Sequence, residues 1–230
     1  MTAFRETAAL DVDQVEFDVH PTRDNELVVH HDPTLERMTN GTGSISEHAF
    51  ASLSQLTIKG TASDRIPLLR EIFDLYKPTP IDLRLEIKAD ADRFRYSGLE
   101  RAVAETLVGH DLQRRTTVTS FWIDTLLSFN TCLPDVPLIW LIDRSIVRQI
   151  GDLDSVLQIA AQRGIREIAL HESDLDVERH RLGQALGLAV GAYAANDVAS
   201  IRRMFDLDVT VFTTNRPDLA LAERAKRRGR

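Results

Sequence analysis

Apolar and polar positions alternate strictly at Val15-Glu16-Phe17-Asp18-Val19, which predicts a strand. Ahead of it, Thr2 to Leu10 carries Ala3, Phe4, Thr7, Ala8 and Leu10 at helical spacing. A turn-like Thr22-Arg23-Asp24-Asn25 leads to a short strand, Leu27-Val28-Val29. Asn40-Gly41-Thr42-Gly43 reads as loop, and Ser46 precedes a capped helical turn over 47–53. Residues 67–76 predict a helix with Leu68, Leu69, Ile72, Phe73 and Tyr76 on one side. Thereafter strands over 82–88, 116–121, 137–142, 167–171, 189–193 and 209–213 alternate with helices over 99–108, 125–129, 153–163, 181–186, 198–205 and 217–228. The last helix opens on Pro217 and closes on basic residues.

Strands separated by helices imply right-handed βαβ units and a parallel sheet. Seven strands alternate with helices, those holding Phe17, Leu85, Val118, Ile139, Ile168, Val190 and Val211. A closed (β/α)8 barrel needs eight. Periodicity leaves two architectures open, a barrel lacking one strand and an open doubly wound sheet. No repeat, linker or change of composition divides the chain, so one domain spanning residues 1–230 is expected.

Composition narrows the partners. A formal net charge of −7 argues against nucleic acid and anionic membrane surfaces. A small anionic substrate stays open, because a bound cation reverses the local sign. No apolar run spans a bilayer and no signal peptide is visible, which points to the cytoplasm and against integral membrane association. The single cysteine, Cys132, excludes an internal disulfide and reads as a small buried hydrophobe. The sequence assigns no oligomeric state.

Glu16 and Asp18 are two apart on a strand and project to one side, as do Glu86 and Lys88 in Leu85-Glu86-Ile87-Lys88. If the two strands are neighbours in a barrel, the four groups meet at its C-terminal mouth. Three carboxylates together call for a cation, and oxygen ligands suit Mg²⁺ or Ca²⁺. Lys88 adds charge suited to phosphate. Alternation alone fits better a pair of half-exposed strands whose charges face water. His30-His31-Asp32 ends the short strand, and a histidine oriented by a carboxylate can move a proton, though such pairs are more often structural. The Asn-Gly-Thr-Gly loop lacks the lysine and helix start of a phosphate loop and reads as a turn. His20, His48, His110, His171 and His180 read as surface or structural groups, and 224–230 as a solvated helix end.

Together these segments resemble the glycerophosphodiester phosphodiesterase family. The resemblance rests on Val15 to Val19, Thr22-Arg23-Asp24, the run from Val28 to Leu35, Arg37, Thr39 and Asn40-Gly41-Thr42-Gly43. Ile66 to Glu71, Leu85 to Lys88, Ser120-Phe121 and Thr214-Asn215-Arg216-Pro217 support it. It implies a TIM (β/α)8 barrel with an insertion at about 31–66, and metal-dependent cleavage of a small glycerophosphodiester to glycerol 3-phosphate and an alcohol. By match, Glu16, Asp18 and Glu86 are implied metal ligands, His31 a catalytic histidine and Lys88 a phosphate contact. Tyr193, where the family usually has tryptophan, is implied in the glycerol pocket, with Asn196 following it. The family's first strand, ending His-Arg-Gly, and its Pro-Glu-Asn-Thr helix start are not in the sequence. The expected fold is therefore a barrel lacking its first strand, with Met1 an internal methionine, one catalytic histidine short and impaired in activity. A non-catalytic metal- or phosphate-binding barrel and a phospholipase of related architecture are the alternatives.

Overall fold

A computed structural model describes residues 1–229 and divides the chain into two compact units. The first comprises Met1–Ser120 with Asp124–Pro137, and the second Phe121–Ile123 with the chain from Leu138 onward.

The first unit opens with helix α1 (Thr2–Ala8), followed by strands β1 (Gln14–Pro21) and β2 (Leu27–Val29). A short helix α2 (Phe50–Leu53) lies in the insertion, and α3 (Leu69–Tyr76), β3 (Asp82–Ile87), α4 (Leu99–His110), β4 (Thr116–Ser120) and α5 (Ile123–Cys132) follow. β2 runs antiparallel to β1, while β1–β3 and β3–β4 are parallel. The alternation in β1 sorts its two faces. Val15, Phe17 and Val19 are buried, and Phe17 meets Phe4 and Phe73 edge-on at 6.2 and 6.5 Å. The opposite face carries Glu16, Asp18 and His20, of which Asp18 and His20 are also buried. Asp18 and His20 are thus covered while Glu16 stays exposed, so the half-exposed alternative fails for Asp18 and holds for Glu16.

The insertion has a core of its own. Leu35, Ile45, Leu53 and Ile66 pack with Val28 and Leu68, and Phe50, Leu56 and Ile58 close over them. The Asn-Gly-Thr-Gly turn belongs to this core. A Cβ at Gly41 would lie 2.6 Å from Leu56 Cδ1, and Asn40 Oδ1 accepts the Thr57 N–H at 2.9 Å. The Glu36 carboxylate accepts the Gly43 N–H at 2.6 Å, so an internal anion already fills the turn.

The second unit holds β5 (Leu138–Ile142), α6 (Arg144–Ile150), α7 (Leu153–Gln162), β6 (Glu167–His171), α8 (Val177–Ala185), β7 (Ala189–Tyr193), α9 (Val198–Asp206) and α10 (Pro217–Arg228). β5, β6 and β7 are parallel neighbours in that order. Two elements depart from expectation. Helix α6 was not anticipated; none of its side chains is fully buried, and its Ile146, Val147 and Ile150 are half-buried. Asp143 starts it by accepting the N–H groups of Ser145 and Ile146. The strand expected over 209–213 reduces to one parallel bridge, Ala192 with Phe212, although Val211 and Thr213 still exchange backbone hydrogen bonds with Ala192.

Candidate functional site

The register of β1 against β3 pairs Glu16 with Arg84 and Asp18 with Glu86. Because side chains two apart share a face, the pairing turns two local alternations into one cluster. Glu16, Asp18 and Glu86 offer carboxylate oxygens that all lie within 4.8 Å of one another. Lys88 extends the same row, and its Nζ sits 2.9 Å from Asp18 Oδ1 and 2.9 Å from Glu86 Oε1. These are close ion-pair contacts without hydrogen-bond alignment, since neither oxygen accepts a well-directed bond. Thr119 of β4, paired with Glu86, closes the row with a buried hydroxyl.

Crowding of like charge marks the cluster electrostatically. Burial, then the charge of Asp18, pushes the Glu86 carboxyl up to about 7. Glu16 is the exposed member of the three. Desolvation of the carboxyl, with Asp18 and Glu86 beside it, raises it well above the usual range, against the pull of Arg84 and Lys88. Burial works against the Lys88 ammonium, but Glu86 and Asp18 outweigh it and keep Lys88 charged. Hard oxygen donors, mutual repulsion and two buried oxygens lacking aligned donors fit a divalent cation of the Mg²⁺ or Ca²⁺ type.

The end of β2 brings two histidines to the same end of the sheet, where the His30 N–H bonds the Asp18 carbonyl at 3.0 Å. His30 is buried, with Nδ1 2.8 Å from the Asp32 carbonyl. His31 is 66% exposed, and its Nδ1 lies 2.7 Å from Asp32 Oδ1. Arg37 holds Asp32 in turn, and its guanidinium depresses the Asp32 carboxyl strongly. His31 is thus oriented through Nδ1.

Sequence reasoning passed over three neighbours. His20, fully buried, shares the face of Glu16 and Asp18, and the two-residue spacing was a usable signal. Its Nδ1 lies 3.1 Å from the Tyr96 hydroxyl. Arg84, also buried, sits beside Glu16. Nothing local in the sequence announced Tyr96.

In the second unit Tyr193 ends β7. Its hydroxyl donates to the Ile142 carbonyl at 3.2 Å, and its ring meets Phe121 and His171 edge-on at 5.6 and 5.4 Å. His171, also read as structural, accepts the Ser173 N–H on Nδ1 at 3.2 Å. Asn196 Oδ1 accepts the Asn215 N–H at 2.7 Å, tying the Thr214-Asn215-Arg216-Pro217 block to the end of β7.

Parallel strands alternating with helices, with carboxylates and a lysine gathered on one face, are the arrangement of a (β/α) barrel enzyme. The glycerophosphoryl diester phosphodiesterase family model matches residues 1–219, and the chain belongs to that family of phosphoric diester hydrolases. A glycerophosphodiester phosphodiesterase of Bacillus subtilis (strain 168) is 25% identical over 231 residues, covering 91% of this chain and 76% of the relative. A solved Agrobacterium tumefaciens structure assigned to the same family is 36% identical, with a TM-score of 0.95, and covers 100% of this chain and 92% of that one. An Oleispira antarctica phosphodiesterase, solved with its product sn-glycerol-3-phosphate, shares the fold at 22% identity and a TM-score of 0.80, covering 96% of this chain and 88% of its own. The architecture is that of the TIM (β/α)8 barrel, with α1 ahead of the first strand present here. No helix among the described residues is long and apolar enough to cross a membrane.

Proposed function

We propose that this chain hydrolyses glycerophosphodiesters to glycerol 3-phosphate and an alcohol, using a Mg²⁺ or Ca²⁺ ion held by Glu16, Asp18 and Glu86. The observation that carries this reading is the convergence of those carboxylates with Lys88 on one face of β1 and β3, in a chain of this family. A cation held there neutralises the repelling carboxylates and polarises a phosphoryl oxygen. Lys88, charged and beside the triad, binds the phosphate. His31 moves a proton between the substrate and its Nε2 while Asp32 fixes the ring through Nδ1. His30, buried and bonded to a backbone carbonyl, has a structural part. Tyr193 lines the glycerol pocket with its ring, its hydroxyl being committed to Ile142. Residues 1–230 are read as a single domain of this family, and the family match over residues 1–219 supports this reading. The Oleispira antarctica enzyme's product, sn-glycerol-3-phosphate, supports the choice of product.

The test is hydrolysis of glycerophosphocholine with added Ca²⁺ or Mg²⁺, comparing His31→Ala with His30→Ala. His31→Ala should lower kcat by roughly 10²- to 10⁴-fold and His30→Ala much less. The reverse ranking would show that the proton-transfer residue is misassigned by one position. A folded chain that binds the cation but turns over no diester would favour the non-catalytic alternative.

A further inference from the structure

Immediately after Lys88 the chain folds back on itself. Ala89 and Arg95 form an antiparallel bridge, and Asp90 closes the turn between them. The Asp90 N–H donates to the Phe94 carbonyl at 2.9 Å, and its carboxylate accepts the N–H groups of Asp92 and Phe94 at 3.0 and 2.7 Å. Tyr96 directly follows Arg95 on the returning segment, as Lys88 directly precedes Ala89 on the outgoing one.

The Tyr96 hydroxyl does not face bulk water alone. It lies 3.1 Å from His20 Nδ1, and the two rings meet edge-on at 5.7 Å and 88°. His20 is fully buried on the Asp18 face of β1. One phenol thus joins two segments far apart in sequence, the end of β1 and the Lys88 hairpin.

We propose that His20 and Tyr96 are a positioning pair that clamps the Lys88 hairpin to β1 and so fixes where the lysine ammonium meets the phosphate of the substrate. The proposal rests on the assignment of Lys88 to the phosphate. Neither side chain touches the reacting atoms; both act through Lys88. A buried histidine whose ring nitrogen meets a single phenol fixes direction as well as distance. Lys88 itself is a flexible four-carbon stem and needs an anchored backbone to present its charge reproducibly.

The experiment is calorimetric titration of the chain with glycerol 3-phosphate at saturating Ca²⁺, with Ca²⁺ affinity and melting temperature measured alongside. Lys88→Met should weaken the product strongly. Tyr96→Phe, which keeps the ring and removes one hydroxyl, should weaken it by about 5-fold, the scale of one hydrogen bond, with Ca²⁺ affinity unchanged. His20→Leu should do the same, and the double variant no more than either alone, as coupled partners do. His20→Gln, which retains a polar group facing Tyr96, should recover part of the loss. Unchanged binding by Tyr96→Phe beside a weakened Lys88→Met overturns the clamp alone. Additive losses in the double variant, or equal loss of Ca²⁺ and product affinity, also overturn it. Unchanged binding by Lys88→Met overturns the phosphate assignment and the clamp together.

Discussion

The histidines of the first unit are chemically alike and differ by what surrounds them. His31 keeps two thirds of its side chain in solvent and is oriented by a carboxylate, whereas His20 has none and meets a neutral phenol. Burial pushes the His20 imidazole down to about 3 from an ordinary 6.5, outweighing the backbone of His31. The consequence for stability has a definite sign. Above pH 6.5 neither the folded nor the unfolded chain protonates this residue. As pH falls through 6.5 the unfolded chain takes up the proton, and the folded chain does not until about 3. Stability present above pH 6.5 is therefore lost across that window. Urea unfolding at pH 7 and pH 5 should show wild type losing about 2 kcal/mol more than His20→Gln. An identical pH dependence in the two proteins would show that His20 protonates freely in the fold. The spacing of Glu16, Asp18 and His20 made a shared face legible; the burial that silences one of the three was not, because it depends on Tyr96, 76 residues away.

Among the elements, the expected ones are those whose pattern reflects burial. β1 and β3 alternate because each residue faces either the helices or the charged row. The α3 stripe of Leu69, Ile72, Phe73 and Tyr76 is buried as its spacing predicts. Helix α6 shows the converse, since none of its side chains is fully buried and its Asp143 cap and the Arg144–Asp174 ion pair help hold it. The segment over 209–213 pairs with β7 through a close approach at Gly191, where a Cβ would lie 2.8 Å from the Val211 carbonyl oxygen. Gly191→Ala should push the two segments apart and destabilise the protein by about 1–3 kcal/mol. Thermal unfolding would register this as a lowered melting temperature, and a variant as stable as wild type would mean that the segment yields freely.

For the molecule as a whole, folding and cation binding should be linked through the triad. The unfolded chain does not hold Glu16, Asp18 and Glu86 together, so a cation that binds only the folded form stabilises it. At about 100 times its dissociation constant, Ca²⁺ should contribute about 2.7 kcal/mol. For a protein of this size that raises the melting temperature by about 5–10 °C relative to chelator-treated protein. Glu86→Ala should abolish the shift. A shift that survives in Glu86→Ala would remove this residue from the ligand set and weaken the reading of the cluster as a cation site.

Local order along the chain was enough to establish the alternating α/β architecture, the side-chain parity of Glu16 with Asp18 and of Glu86 with Lys88, and a family signature whose residues include His31. Each of these depends on spacings of a few residues, and strand geometry converts such spacings into a shared face without further information. The tertiary structure decided the rest. It set Asp18 against Glu86 by register, buried Asp18 and His20, filled the Asn-Gly-Thr-Gly turn with Glu36, and brought Tyr96 to His20. Register, burial and cross-chain contact arise between segments tens of residues apart, and no local periodicity encodes which of two faces will meet which partner.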